Sequence, residues 1–205
     1  VDVRAARLSN DEGQLIAGGN LQVQADALGN RQGLLQAGGN ARLHAQHIDN
    51  RGGQLLAGRA LQLQAAHLDN RHGLLSAGDA ELQVDVLDNQ QDGRSDTGVF
   101  ANGALTARLA QLHGDGRLFG NAALQLHLLG DYQHAIARLQ SNGLLALDVA
   151  GTLTNLGTLS SPGQLQIRAA HLDNRGQLSA ANAGGNAQLL LQLAGRLDNS
   201  GRIGA

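Results

Sequence analysis

Residues 41–70, ARLHAQHIDNRGGQLLAGRALQLQAAHLDN, carry the repeat that decides the fold. In Leu61, Leu63 and Ala65 an apolar residue recurs at every second position, and Leu68 and Asn70 complete the block. An equivalent block, from Ala41 to Asn50, lies twenty positions earlier. Alternation with a period of two is typical of a strand with one buried face, so the sequence predicts strands and not helices.

The same apolar spacing recurs ten times in the 205 residues, usually twenty positions apart. Three later copies carry one extra residue before the penultimate position: Leu124–His134, Leu145–Asn155 and Leu189–Asn199. Each copy also holds a shorter alternating pair upstream, such as Leu55 and Ala57. Each repeat therefore predicts about three short strand segments separated by turns of glycine and asparagine.

A unit of this size cannot bury its own apolar face, so it must pack against the copies above and below it. The sequence therefore predicts a right-handed parallel β-helix of about ten rungs, with residues 1–205 as a single segment cut from a longer shaft. A β-propeller needs about forty residues per blade, and a leucine-rich repeat needs a helix that this pattern lacks. At a strand spacing of roughly 4.8 Å, the rod is on the order of 45 to 50 Å long.

Asparagine closes eight of the ten blocks, and we interpret these residues as a structural ladder. At the corners of a β-helix some backbone groups lie outside the sheet, and an inward amide can both donate to and accept from them. In the two other blocks glycine (Gly114) and histidine (His134) take this position. The predicted ladder consists of Asn10, Asn30, Asn50, Asn70, Asn89, Asn155, Asn174 and Asn199.

The composition agrees with a rod and excludes several functional classes. The formal net charge is −2, so nothing in it indicates binding to nucleic acid. Cysteine is absent, which excludes a disulfide scaffold and a thiolate metal site. The sequence contains neither an apolar run of about 20 residues nor a signal peptide, so we expect no insertion into a membrane.

Glycine and aromatic residues also fit a stacked core. The 29 glycines include a set in one register of the repeat, and we expect positive φ at these corners. There are only three aromatic residues, because layers of leucine, valine and alanine leave little room for rings. The corner glycines in question are Gly13, Gly33, Gly53 and Gly73.

Two long motifs carry a family resemblance. Residues 48–70, IDNRGGQLLAGRALQLQAAHLDN, and residues 130–174, which begin with GDYQHAIARLQSNG, combine the apolar spacing with the DN turn, the AG pair and the GDY transition. In these features the chain resembles the shaft repeats of filamentous haemagglutinins and contact-dependent growth inhibition exoproteins, over essentially its whole length.

The resemblance implies a piece of a very large two-partner-secreted surface protein of a Gram-negative bacterium. Such a protein is exported through an outer-membrane β-barrel transporter and folds at the cell surface. Its shaft projects a distal adhesive or toxic domain toward a receptor or glycan on a host cell or a neighbouring bacterium. Neither the amino-terminal secretion domain nor a carboxy-terminal toxin of this family is visible in the sequence.

Two columns of side chains at equivalent repeat positions are candidate binding groups. Arginines in one column (Arg31, Arg51, Arg71) lie next to aspartates in another (Asp49, Asp69, Asp88). They form either an anion-binding stripe or, as we favour, a solvated corner where opposite charges offset one another. His47 and His67 share a position with the distant His171, but zinc needs three or four ligands, so we expect no metal and no other cofactor.

Three functions remain open: a structural shaft, which we favour; a module that binds glycans or receptors; and a carbohydrate-active enzyme. Most aspartates recur at one corner, as turn residues do, whereas a glycosidase needs a unique pair of carboxylates. We therefore expect no enzymatic activity.

Two insertions, Gln90–Gly98 and Ser179–Gln188, break the repeat. The first carries Asp92, Arg94 and Asp96, which form either a candidate binding loop or, as we favour, a tolerated loop without a function of its own.

Overall fold

The structure is a computed structural model that describes residues 1–91, 93, 97–182 and 184–205. The first strands are β1 (Asp2–Ser9), β2 (Gln14–Ala17), β3 (Leu21–Gly29), β4 (Leu34–Ala37), β5 (Ala41–Asp49), β6 (Gln54–Ala57), β7 (Ala60–Asp69), β8 (Leu74–Ala77), β9 (Asp79–Asp88), β10 (Gly98–Ala101) and β11 (Ala104–His113). The others are β12 (Arg117–Gly120), β13 (Ala123–Leu128), β14 (Tyr132–His134), β15 (Arg138–Ser141), β16 (Leu144–Asn155), β17 (Thr158–Ser161), β18 (Gln164–Asn174), β19 (Gln177–Ala180), β20 (Gln188–Leu193), β21 (Leu197–Asn199) and β22 (Arg202–Gly204). The residues that the structure describes contain no helix.

The strands stack in parallel as a β-solenoid, which confirms the predicted fold class. Among the described residues, the long strands form a broad sheet in the order β1-β3-β5-β7-β9-β11-β13-β16-β18-β20, with β14 and β21 beside β16 and β18. The short strands form a narrow sheet, β15-β12-β10-β8-β6-β4-β2, and a three-stranded sheet, β17-β19-β22. About nine turns of the chain join the ten long strands on this path. The ten strands correspond to the ten predicted rungs.

The register places the repeat positions directly above one another. Leu43 pairs with Leu63 and Ile48 with Leu68, as a spacing of twenty residues requires. These side chains point inward and are almost completely buried. At the terminal rungs the core is open: Val3 and Leu8 are only partly buried, and Leu197 is 45% exposed.

The prediction of three strand segments per rung needs a correction. In most rungs two of the segments merge into one long strand, which turns at two consecutive outward residues, such as Gln46 and His47. The rungs with an extra residue differ. In two of them the long strand splits, giving β13 and β14 and later β20 and β21, and in the third β16 carries a register shift between Val149 and Thr152.

The reason for the corner glycines was predicted wrongly. Positive φ occurs one residue earlier, at Glu12 (59°), Gln32 (54°), Gly52 (63°) and His72 (59°). Gly33, Gly53 and Gly73 are needed for space, because the chain passes directly over the preceding rung, whereas a Cβ at Gly13 would meet only Asn10 of its own corner. A Cβ added at Gly53 would collide with the carbonyl oxygen of Asn30.

Candidate functional site

The eight ladder asparagines form two hydrogen-bonded stacks along the axis. In the first stack each Nδ2 donates to the Oδ1 of the next rung, at 2.7 Å from Asn10 to Asn30 and 3.0 Å from Asn70 to Asn89. The second stack links Asn155 to Asn174 and Asn174 to Asn199 at 2.7 Å. Between Asn10 and Asn199 the members of both stacks are buried.

Except in the last asparagine of each stack, the amide donates both to the next ladder asparagine and to a backbone carbonyl. Besides its bond to Asn50, Asn30 Nδ2 donates to the carbonyl oxygen of Gln54 at 3.0 Å, and Asn10 repeats this bond to Leu34 at 2.9 Å. The second bond ties the corner to the start of a short strand in the next rung. The ladder therefore stabilises the stacking of rungs.

The two stacks are separated by Gly114 and His134. His134 is buried, and its Nε2 lies 3.2 Å from the carbonyl oxygen of Thr158, the same bond that Asn30 makes to Gln54. A neutral imidazole has only one N–H, whereas the amide of asparagine has two. With the His134 N–H used for Thr158, Asn155 Oδ1 has no hydrogen-bond partner in the structure, and His134 Nδ1 has none either. Burial lowers the pKa of His134, and the bond to Thr158 opposes this only in part.

The arginine and aspartate columns form a chain of alternating charge. Arg51 contacts Asp49 of its own rung at 2.7 Å and Asp69 of the next rung at 3.6 Å. Arg31 pairs with Asp11 at 2.6 Å, and this hydrogen bond lowers the pKa of that carboxyl. Because each guanidinium is matched by a carboxylate, the described part of this column is not a continuous cationic stripe.

The histidines lie close to one another without forming a metal centre. The rings of His47 and His67 are 6.5 Å apart, and Asp88 is hydrogen-bonded to His67 at 2.8 Å and to His113 at 2.9 Å. His171 accepts a bond from a backbone N–H in another rung. Among the residues with a described position, no three histidine, cysteine or acidic side chains are grouped to hold a metal ion.

Two carboxylates of these columns, Asp69 and Asp88, are held in the ionised form. Burial raises the pKa of Asp69, but hydrogen bonds and charge from Arg71 outweigh it, and the pKa lies below its usual range. Burial likewise raises the pKa of Asp88, and the bonds from His67 and His113 more than compensate. A general acid in glycoside hydrolysis needs the opposite, a raised pKa.

The outer side of the broad sheet carries a polar groove of about 400 Å³. Arg42 donates to Gln62 Oε1 at 2.8 Å, and Gln62 and Gln83 both donate to Glu81, at 3.4 and 3.1 Å. The polar side chains on this part of the sheet thus bond to one another across the rungs. The candidate loop residues Asp92, Arg94 and Asp96 lie outside the described residues.

The sequence analysis missed a pair of aromatic side chains on the outer side of the narrow sheet. Phe100 and Phe119, the only phenylalanines of the chain, point outward, with ring centroids 6.4 Å apart. The guanidinium of Arg117 lies 5.7 Å from the centroid of Phe100. Val99 and Ala101 form the alternating apolar pair of this rung and are buried, so the period of two implies that Phe100 between them points outward.

The comparisons with known proteins point to one family. A family model described as Haemagglutinin repeat matches residues 1–45 and, in a second match, residues 16–201. No curated protein and no solved structure gives a significant match. None of the described residues forms a helix that is long and apolar enough to span a membrane.

Proposed function

Because the chain belongs to the haemagglutinin repeat family, we propose that it is part of the shaft of a large secreted bacterial surface protein. In this proposal the shaft carries a distal adhesive or toxic domain away from the cell, as in adhesins and contact-dependent toxin-delivery exoproteins. The protein reaches the cell surface through an outer-membrane transporter of the two-partner type. The distal domain then meets a receptor or glycan on a host cell or a neighbouring bacterium.

The observation that carries the proposal is that the repeated polar residues bond to one another. The ladder asparagines bond to the next rung, and the arginines of the charged column are matched by aspartates. The polar residues that recur along the stack therefore bond to other residues of the stack. A stack of this kind gains length with each added repeat and keeps the same cross-section.

Electron microscopy of the intact protein tests this role. An epitope tag inserted at Gly185, in the second insertion, marks the segment with an antibody fragment. A shaft predicts labels on the side of a thin rod, at a fixed distance from its end. Labels on a compact globular region would contradict the proposal.

The polar groove on the broad sheet favours a second candidate, a module that binds glycans. Its amides and guanidinium can bond to hydroxyl groups, although in the structure they bond mainly to one another. A glycan array with the isolated chain separates the two functions. Specific binding that is lost in the Arg42→Ala variant would favour the binding module, and no binding is expected of a shaft.

A further inference from the structure

The seventh rung, formed by β13, β14 and β15, interrupts two of the three faces of the stack. In the described part of the chain, β14 pairs only with β16 of the eighth rung, so residues 111–113 of the sixth rung have no paired strand on that side. On the narrow side, β15 pairs only with β12 of the sixth rung, and β17 of the eighth rung belongs to a separate sheet. Residues 135–137 therefore connect a strand held by the eighth rung to a strand held by the sixth.

The asparagine ladder is interrupted at the same place. Gly114 contributes no side chain, and His134 bonds to the carbonyl oxygen of Thr158 but not to Asn155. The bonds between ladder side chains thus stop at Asn89 and resume at Asn155. No such bond links the seventh rung to either of its neighbours.

The charged column is interrupted there as well. Ala135 and Leu156 follow the ladder positions of the seventh and eighth rungs, where Arg71 and Arg175 stand in the fourth and ninth. Each of these arginines pairs with an aspartate of its own rung. Leu156 is 44% exposed, and Ile136 is 68% exposed. Apolar side chains in water thus replace ion pairs at this corner.

One part of the broad sheet runs through the seventh rung without a break. All six residues of β13 pair with both β11 and β16. The adjoining corner is bonded too, because Ser161 Oγ donates to the carbonyl oxygen of Gly143 at 2.8 Å. We call the continuous part of the sheet the seam, and it consists of residues 104–109, 123–128 and 144–149. The seventh rung is therefore held firmly along one face only.

We propose that the seventh rung is a joint at which the rod bends about the seam. Where all three faces are paired, bending has to stretch the hydrogen bonds between strands on the faces away from the bend. At the seventh rung the two interrupted faces lack such bonds, so the same angle costs less free energy. The angle stays small, because the buried Tyr132 and Leu139 keep the core closed behind these faces. This inference does not depend on the proposed function.

Distances between pairs of spin labels, measured by double electron–electron resonance, test the joint, because the chain has no cysteine of its own. Labels on Gln54→Cys and Thr158→Cys lie on the narrow side, with the joint between them. Labels on Gln14→Cys and Arg117→Cys, both in the seven-stranded sheet before the joint, are the matched control. Both pairs span five rungs, or about 24 Å. We expect the distance distribution across the joint to be at least twice as broad as the control.

A third pair of labels tests whether the seam is the axis of bending. Gln64→Cys and Arg168→Cys also lie five rungs apart with the joint between them, but their columns run through the seam. We expect this pair to give a distribution as narrow as the control. Thermal unfolding of the labelled proteins checks that all three are folded.

Two results would overturn the joint. One is a distribution for Gln54 and Thr158 that is no broader than that for Gln14 and Arg117, since the rod would then be equally stiff along its length. The other is a broad distribution for Gln64 and Arg168, since the rungs would then come apart at the seam itself.

Discussion

At the scale of single residues, the ladder shows why an amide suits this position and an imidazole does not. Asn30 has two amide protons and gives one to Asn50 and one to the backbone of the next rung. His134 makes only the second of these bonds, and Asn155 Oδ1 stays without a donor. A buried acceptor without a donor costs free energy, so the molecule carries a weak point at this rung.

Replacing His134 by asparagine should therefore stabilise the protein. His134→Asn supplies the missing proton to Asn155 and should raise the free energy of unfolding by about 1 kcal/mol. His134→Leu, which is of similar size but lacks any N–H, should lower it. Urea unfolding followed by circular dichroism measures both. A His134→Asn variant no more stable than the His134→Leu variant would refute this account of the weak point.

His134 should also make the protein sensitive to mild acid. Its pKa is lowered in the folded state, so below about pH 6.5 the unfolded chain binds a proton that the folded chain does not. The free energy of unfolding therefore falls as the pH drops from about 6.5 toward the lowered pKa.

The His134→Asn variant isolates this effect, because both proteins share the other seven histidines. We expect its advantage over the parent chain to grow between pH 7.5 and pH 5.5 in the same urea titrations. A constant difference across that range would show that His134 does not titrate on unfolding.

At the scale of elements, the corner between a long and a short strand combines two adjacent positions with different demands. Counted from the ladder asparagine, the third corner residue has positive φ but room for a Cβ, as at Gly52, and Glu12, Gln32 and His72 adopt the same conformation. The fourth, as at Gly53, has ordinary φ but no room for a side chain.

Two neighbouring substitutions should separate these demands. Gly52→Ala should cost about 1 kcal/mol, the usual penalty for an alanine in the left-handed region. Gly53→Ala should cost about 3 kcal/mol, because its Cβ would force the two rungs apart. Chemical denaturation measures both, and equal losses would count against the steric explanation.

The ladder as an element predicts a dependence on position. Asn50 has ladder neighbours on both sides, at 2.7 Å each, so Asn50→Leu should cost roughly 1 to 3 kcal/mol. Asn199 is exposed and bonds to Asn174 only from one side, so Asn199→Leu should cost less than about 0.5 kcal/mol. Similar melting temperatures for the two variants would argue that the ladder contributes little.

These elements also show what the sequence could and could not predict. The strands and their inward residues follow from the period of two, which holds for the inward Leu43 and Leu63 and for the outward Phe100. The steric requirement at Gly53 and the missing hydrogen bond at His134 depend on atoms one rung away. A collision with Asn30 or a missing proton for Asn155 becomes visible only once the rungs are stacked.

At the scale of the whole molecule, the chain is a stack in which each rung contacts mainly its neighbours. One rung can therefore be removed without changing the environment of the others, provided that the register is kept. Deleting residues 41–60 joins Asn40 to Leu61 and preserves the spacing of every inward position. Deleting residues 46–55 removes half a rung, together with Asn50 and Gly53, and destroys that spacing.

The most direct test of the stacked shaft is small-angle X-ray scattering of the chain and these two deletion variants. The account predicts that deleting residues 41–60 leaves the cross-sectional radius unchanged and shortens the rod by about 4.8 Å. The half-rung deletion should give an expanded, unfolded profile. A whole-rung deletion that unfolds the chain, or that changes the cross-section and not the length, would contradict the account.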